Sequence, residues 1–206
     1  MCIICVSPAG VQQPTETQIR TMFSTNPHGA GFMLARGGSV TIHKGFQHLE
    51  DLLRTLRRMN LTEADAVVYH FRISTQAGVC PEMTHPFPLT RRLPAMKALD
   101  LTCGIGVAHN GVIDMTRDPL ETEYSDTALY IAEYLHRLVR TPSDLRDPAV
   151  LDLIQATTHS KLALMDGTGY IATVGPFIRD NGLLFSNGSY RSFYLPGRKF
   201  SLKEAQ

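Results

Sequence analysis

Four short stretches of this chain hold residues able to do chemistry. The first is Cys2, directly behind the initiator Met1. Removal of Met1 would leave one residue carrying both a thiol and a free α-amine. Such an amine titrates at roughly 7.7–8.0 and an unperturbed thiol at about 8.5. A base poised near neutral pH would then lie within reach of a strong nucleophile. The second stretch is His70-Phe71-Arg72-Ile73-Ser74-Thr75, the third His109-Asn110-Gly111, and the fourth Ser125-Asp126-Thr127. Each also has an ordinary structural explanation. His70 and His109 fit satisfied core histidines, Asn110-Gly111 is a common hairpin turn, Asp126 fits a helix cap, and Arg72 fits a surface ion pair.

The elements that must position these residues are readable from pattern. Ile3, Ile4 and Val6 read as a short buried strand that fixes the chain end in a sheet. Thr15-Glu16-Thr17-Gln18 is a capping box opening a helix to about Ser24. Gly31 to Leu34 and Val40 to His43 bracket Arg36-Gly37-Gly38-Ser39, a hairpin. Leu49, Leu52, Leu53 and Leu56 lie at helical spacing, so Glu50 to Met59 is an amphipathic helix. Ala66 to Phe71 and Ile105 to Ala108 read as buried strands, the second ending in a turn at His109-Asn110-Gly111. Between them, Ser74 to Pro94 reads as one long loop, a length usually tied to function or disorder. Ser125-Asp126-Thr127 caps a long helix, and Asp147 to Thr157 forms another with Pro148 in its first turn. Lys161 to Met165 and Tyr170 to Val174 form a second hairpin, Leu183 to Phe185 ends at Ser186-Asn187-Gly188, and the tail after Tyr194 is polar. Helices and hairpins alternate without a parallel βαβ rhythm, which predicts an α+β fold with mainly antiparallel sheet.

The 206 residues suit a single domain, 1–206, with a full core. Lys plus Arg number 20 against 19 Asp plus Glu, a balance that leaves no electrostatic footprint for nucleic acid. No apolar run is long enough to span a bilayer, and the N-terminal run lacks the preceding positive charge of a secretory signal. The expectation is a cytoplasmic protein without a membrane or nucleic-acid partner. Cys2-x-x-Cys5 matches half of a zinc or redox site, but Cys80 and Cys103 stand alone and supply no second pair. Cys5 is expected in the core, with no metal and no cofactor.

Taken in order, Cys2, His70/Arg72/Thr75, His85-Pro86, His109-Asn110-Gly111 and Ser125-Asp126-Thr127 resemble the class II glutamine amidotransferases, the N-terminal nucleophile amidotransferase family. The likeness runs from residue 1 to about residue 175. It implies a four-layer αββα sandwich of two mainly antiparallel sheets, the N-terminal nucleophile hydrolase fold. It also implies hydrolysis of the glutamine side-chain amide through a Cys2 γ-glutamyl thioester. Asn110 and the Gly111 N–H would hold the oxyanion. Arg72 would take the substrate α-carboxylate, Asp126 the α-ammonium, and Thr75 and His109 would complete the amino-acid pocket. No second domain is evident, so the resemblance implies a glutaminase subunit whose ammonia passes to a separate acceptor synthase.

The chain also departs from the family. Ile3 stands where many members have Gly after the nucleophile, Gln76-Ala77 replace a His-Gly pair, and Asn26-Pro27-His28-Gly29-Ala30-Gly31 replace an Arg-Gly-x-Asp-Ser segment. These changes touch the pocket wall and lid, and leave strict preference for glutamine open. Two other readings share the residue set. One is a hydrolase of a larger γ-glutamyl conjugate, and the other is a catalytically silent binding subunit that retains Met1.

Overall fold

A computed structural model describes residues 1–73, 80–114 and 123–191. The fold is α+β, built on two antiparallel sheets. The larger has seven strands: β1 (Ile3–Ser7), β2 (Ala30–Arg36), β3 (Ser39–Phe46), β4 (Val67–Phe71), β6 (Asp100–Cys103), β10 (Ile178–Asp180) and β11 (Leu183–Phe185), in the order β10-β11-β1-β4-β2-β3-β6. The smaller has four, ordered β5 (Phe87–Pro88), β7 (Ile105–Asn110), β8 (Lys161–Asp166) and β9 (Ile171–Val174).

Strand β1 lies inside the large sheet, between β4 and β11, and all five of its residues are buried. Successive side chains of a strand point to opposite faces, and β1 uses both. Ile3 and Cys5 pack with Phe32, Leu34, Tyr69 and Phe71 against α1 (Glu16–Thr25) and α2 (Leu49–Met59), through Ile19 and Met22 of the first helix and Leu52, Leu53 and Leu56 of the second. Ile4 and Val6 turn the other way, with Met33, Ile42 and Val68, and meet Ala108, Ala163 and Met165 of the small sheet. Val107, Leu162, Leu164 and Val174 face a third cluster, under the helical segments that follow residue 125. No helix among the described residues is long and apolar enough to cross a membrane.

Local signals set most boundaries. Thr15 and Gln18 form the reciprocal capping box at the start of α1. The β2–β3 turn is Gly37-Gly38, both at positive φ. Ser125 caps α3 (Asp126–Tyr130) by accepting from the Ala128 N–H. That helix passes through a π-helical stretch (Ile131–Leu135) into α4 (His136–Leu138), and α5 (Pro148–Thr158) is capped by Asp147.

Two expectations need correction. The segment from Ser74 to Pro94 is not one structureless loop over its described part. It contains a 3₁₀ turn (Pro81–Met83), strand β5 and the start of a second 3₁₀ turn (Leu93–Lys97). The buried Lys44 ties the two turns together, its ammonium donating to the carbonyls of Glu82 (2.8 Å) and Met96 (2.5 Å). His109 and Asn110 do not form a turn either. They are the last residues of β7, where Asn110 pairs with Lys161, and a cross-strand partner that distant in sequence overrides the local hairpin preference.

Candidate active site

Cys2 stands just before β1 and is half-buried. The β1–β4 register pairs Ile3 with Phe71, and one step further brings Cys2 alongside Arg72. The sulfur accepts from the Ile73 N–H at 3.4 Å and lies 3.6 Å from the Ile73 carbonyl. Burial pushes the Cys2 thiol above its ordinary value, opposed by the Ile73 N–H, the chain-terminal ammonium and the Arg72 guanidinium. The residue ahead of the nucleophile candidate, Met1, is 84% exposed and precedes the first strand.

Arg72 extends β4 past its last ladder residue. Its backbone is fixed by the Gly29 carbonyl (2.8 Å) and by the His28 N–H (2.9 Å), and its Nη1 donates to the Cys80 carbonyl at 3.4 Å. The guanidinium has no carboxylate partner among the described residues.

From the other sheet, β7 brings Asn110. Its Nδ2 donates to Ser186 Oγ at 2.8 Å, and its Oδ1 is buried with no hydrogen-bond partner among the described residues. An amide nitrogen carries two N–H groups, so one remains for a ligand. Gly111 follows, and a Cβ there would overlap Ser160 Oγ, which accounts for the absence of a side chain.

Behind Asn110 runs a row of buried histidines. His70 Nε2 lies 3.0 Å from the His109 carbonyl and 3.0 Å from His85 Nδ1. The carbonyl can only accept, so His70 Nε2 carries the proton. His109 Nδ1 lies 2.8 Å from Thr127 Oγ1. Burial drives all three rings toward the neutral form: His70 down to about 3, His109 down to about 4 against the pull of Asp126, and His85 well below the usual range. His109 is only 1% exposed.

Asp126 is held by its own helix start. One carboxylate oxygen accepts from the Ile113 N–H and the other from the Thr127 N–H, each at 2.8 Å. Through Thr127 and His109 it joins the strand that ends in Asn110. Thr75 lies outside the described residues.

The structure thus brings Cys2, Arg72, Asn110 and Gly111 to the adjoining ends of β1, β4 and β7, with His109 and Asp126 linked behind them. Ser186, Asn187 and Lys161 are also joined to this group, through hydrogen bonds to Asn110, Ile4 and Cys2 and from Lys161 to the Ser186 carbonyl, and none of them is among the candidate site residues singled out from the sequence. Ser186-Asn187-Gly188 closes a predicted strand with polar residues, as the other candidate stretches do, and that was the available signal. An open pocket of about 400 Å³, lined by Leu89, Arg91, Ile105, Val139 and Arg140, lies at the opposite end of β7 from Asn110. No family model matches the chain, and no curated protein matches it.

Proposed function

We propose that the protein is an N-terminal cysteine amidohydrolase of the class II glutamine amidotransferase type, on a four-layer αββα sandwich, hydrolysing the side-chain amide of glutamine. The observation that carries this reading is the position of the Cys2 sulfur, in contact with the peptide that follows Arg72, at the head of a strand whose Ile4 is tied through Ser186 to the Asn110 amide.

The chemistry begins once Met1 is gone. The α-amine of Cys2 takes the thiol proton, and the thiolate attacks the amide carbon of the substrate. A C–S bond forms while the carbonyl electron pair moves to oxygen. The free Asn110 N–H and the Gly111 N–H receive that oxyanion. Collapse breaks the C–N bond, and the amine returns its proton to the departing ammonia. Water then adds to the γ-glutamyl thioester, with the amine again taking a proton. The C–S bond breaks, glutamate leaves and the thiol is restored. Arg72 meets the α-carboxylate in a bidentate fork and Asp126 the α-ammonium, because a zwitterion leaving water needs both charges paired. The ammonia passes to a separate acceptor enzyme.

The test is release of ammonia and glutamate by protein whose mass shows Met1 removed, with glutamine and γ-glutamyl conjugates as substrates. Turnover of glutamine that vanishes in Cys2→Ala is the expected result. A processed protein that releases nothing from glutamine would refute the reading, and faster turnover of a larger conjugate would move the substrate assignment to that class.

A further inference from the structure

The β1–β11 ladder pairs Val6 with Leu184 and Cys5 with Phe185, so the next pair is Ile4 with Ser186. Half of that pair is ordinary: the Ser186 N–H donates to the Ile4 carbonyl at 2.9 Å. The other half is substituted. The Ile4 N–H donates to the Ser186 hydroxyl at 2.9 Å instead of to the Ser186 carbonyl. That carbonyl is freed, and it accepts from the Lys161 ammonium of the small sheet. The same hydroxyl accepts from Asn110 Nδ2 at 2.8 Å. Asn110 and Lys161 are a cross-strand pair of β7 and β8, and directly opposed residues share one face. One fully buried serine therefore receives both members of a pair from one sheet while completing the ladder of the other.

The next residue extends the arrangement to the chain end. Asn187 Nδ2 donates to the Cys2 carbonyl at 2.7 Å. Its Oδ1 accepts from the N–H (3.0 Å) and the hydroxyl (2.7 Å) of Ser189. A backbone N–H can only donate, so the Asn187 amide is locked with its nitrogen toward Cys2.

We propose that Ser186 and Asn187 are positioning residues: Ser186 holds the Asn110 amide in register with the nucleophile's strand, and Asn187 holds the backbone of Cys2 itself. This deepens the amide-hydrolysis reading and rests on it. Neither residue touches the reacting atoms. Together they set the distance between two groups that approach from different sheets, where a misplacement of about 1 Å costs on the order of 10²-fold in rate.

The experiment compares wild type, Ser186→Ala, Ser186→Cys and Ser186→Thr, each with Met1 removed. Three quantities are read: solvent exchange of the Asn110 side-chain amide by NMR, alkylation of Cys2 by iodoacetamide, and steady-state turnover of glutamine. Loss of the hydroxyl in the Ala variant should speed Asn110 amide exchange and lower kcat by about 10- to 100-fold. KM and the alkylation rate should hold, because Arg72 and the thiol are untouched. The Cys variant keeps the size of the side chain and should behave like Ala. Thr restores the hydroxyl and should recover most of the turnover. Asn187→Ala should instead slow alkylation and turnover together. Should the Ala variant fail to fold, the Cys variant decides. Wild-type Asn110 exchange in the Ala or Cys variant overturns the proposal whatever the turnover. An inactive wild type whose Asn110 exchange still responds to residue 186 would keep the positioning and refute the amide-hydrolysis reading alone.

Discussion

Asn110 of the small sheet donates its side-chain amide to the Ser186 hydroxyl of the large sheet at 2.8 Å, and that hydroxyl also receives the Ile4 N–H two residues beyond Cys2. The candidate oxyanion donor and the candidate nucleophile are thereby referred to one atom. Removing the donor outright by Asn110→Ala should lower kcat by about 10²–10³-fold. If Ser186 acts only through Asn110, adding Ser186→Ala to that variant should cost little more, since residues in contact are not additive. The kinetics of the two single variants and the double variant check this, and fully multiplicative losses would count against it.

Arg72 has its guanidinium near Cys2 and no carboxylate partner among the described residues. A charged hydrogen bond contributes about 1.5–3 kcal/mol, so Arg72→Ala should raise KM for glutamine by roughly 10- to 150-fold. Arg72→Lys should restore little, because an ammonium cannot reproduce the planar fork. A Lys variant with wild-type KM would remove Arg72 from the carboxylate site.

Much of this was legible locally and some was not. The capping box at Thr15 and Gln18, the Gly37-Gly38 turn and the apolar run Ile3 to Val6 announce their structures because each depends on neighbouring residues. Asn110-Gly111 misled for the opposite reason. Its local preference is a turn, while its fate is set by pairing with Lys161, far along the chain. Strands β6 and β10 are four and three residues long, too short for alternation to rise above noise. Cys2, Arg72, Asn110 and Asp126 stand out through their residue types and the family resemblance of their order, whereas the polar close of the strand at Ser186-Asn187 is only a hint, because their contacts depend on where β11 ends against β1.

The buried histidines make stability depend on pH. Burial pushes His70 down to about 3 and His109 down to about 4 in the folded chain, against about 6.5 when unfolded. The unfolded chain therefore binds more protons at these histidines below about pH 6.5, so their stability cost is absent above that value and grows as pH falls toward the folded values, while the buried Lys44, pushed down to about 7, has its effect mainly at higher pH. Unfolding free energy by urea at pH 7 and pH 5 should show a clear loss at pH 5. Carboxylates held low by their partners, such as Asp144 and Asp166, act only further down. Equal stability at the two pH values would contradict the buried neutral row.

Gly111 offers a test of packing that is separate from turnover. A methyl group there would overlap the Ser160 hydroxyl, so Gly111→Ala should destabilise by about 1–3 kcal/mol. Ser160→Gly in the same chain removes the obstructing atom and should recover part of that loss. Thermal melts of the two variants decide it, and a Gly111→Ala protein as stable as wild type would show that the overlap is relieved by movement elsewhere.

Residue 2 as a free N-terminal nucleophile is the centre of the account, and trapping its covalent intermediate tests it most directly. Protein lacking Met1 is mixed with glutamine, quenched in acid within a turnover and weighed intact, then digested to locate any adduct. The account predicts a γ-glutamyl group on the Cys2 sulfur, absent from Cys2→Ser under the same quench and from chains that retain Met1. An adduct on another residue, or turnover that persists with Met1 in place, would contradict it.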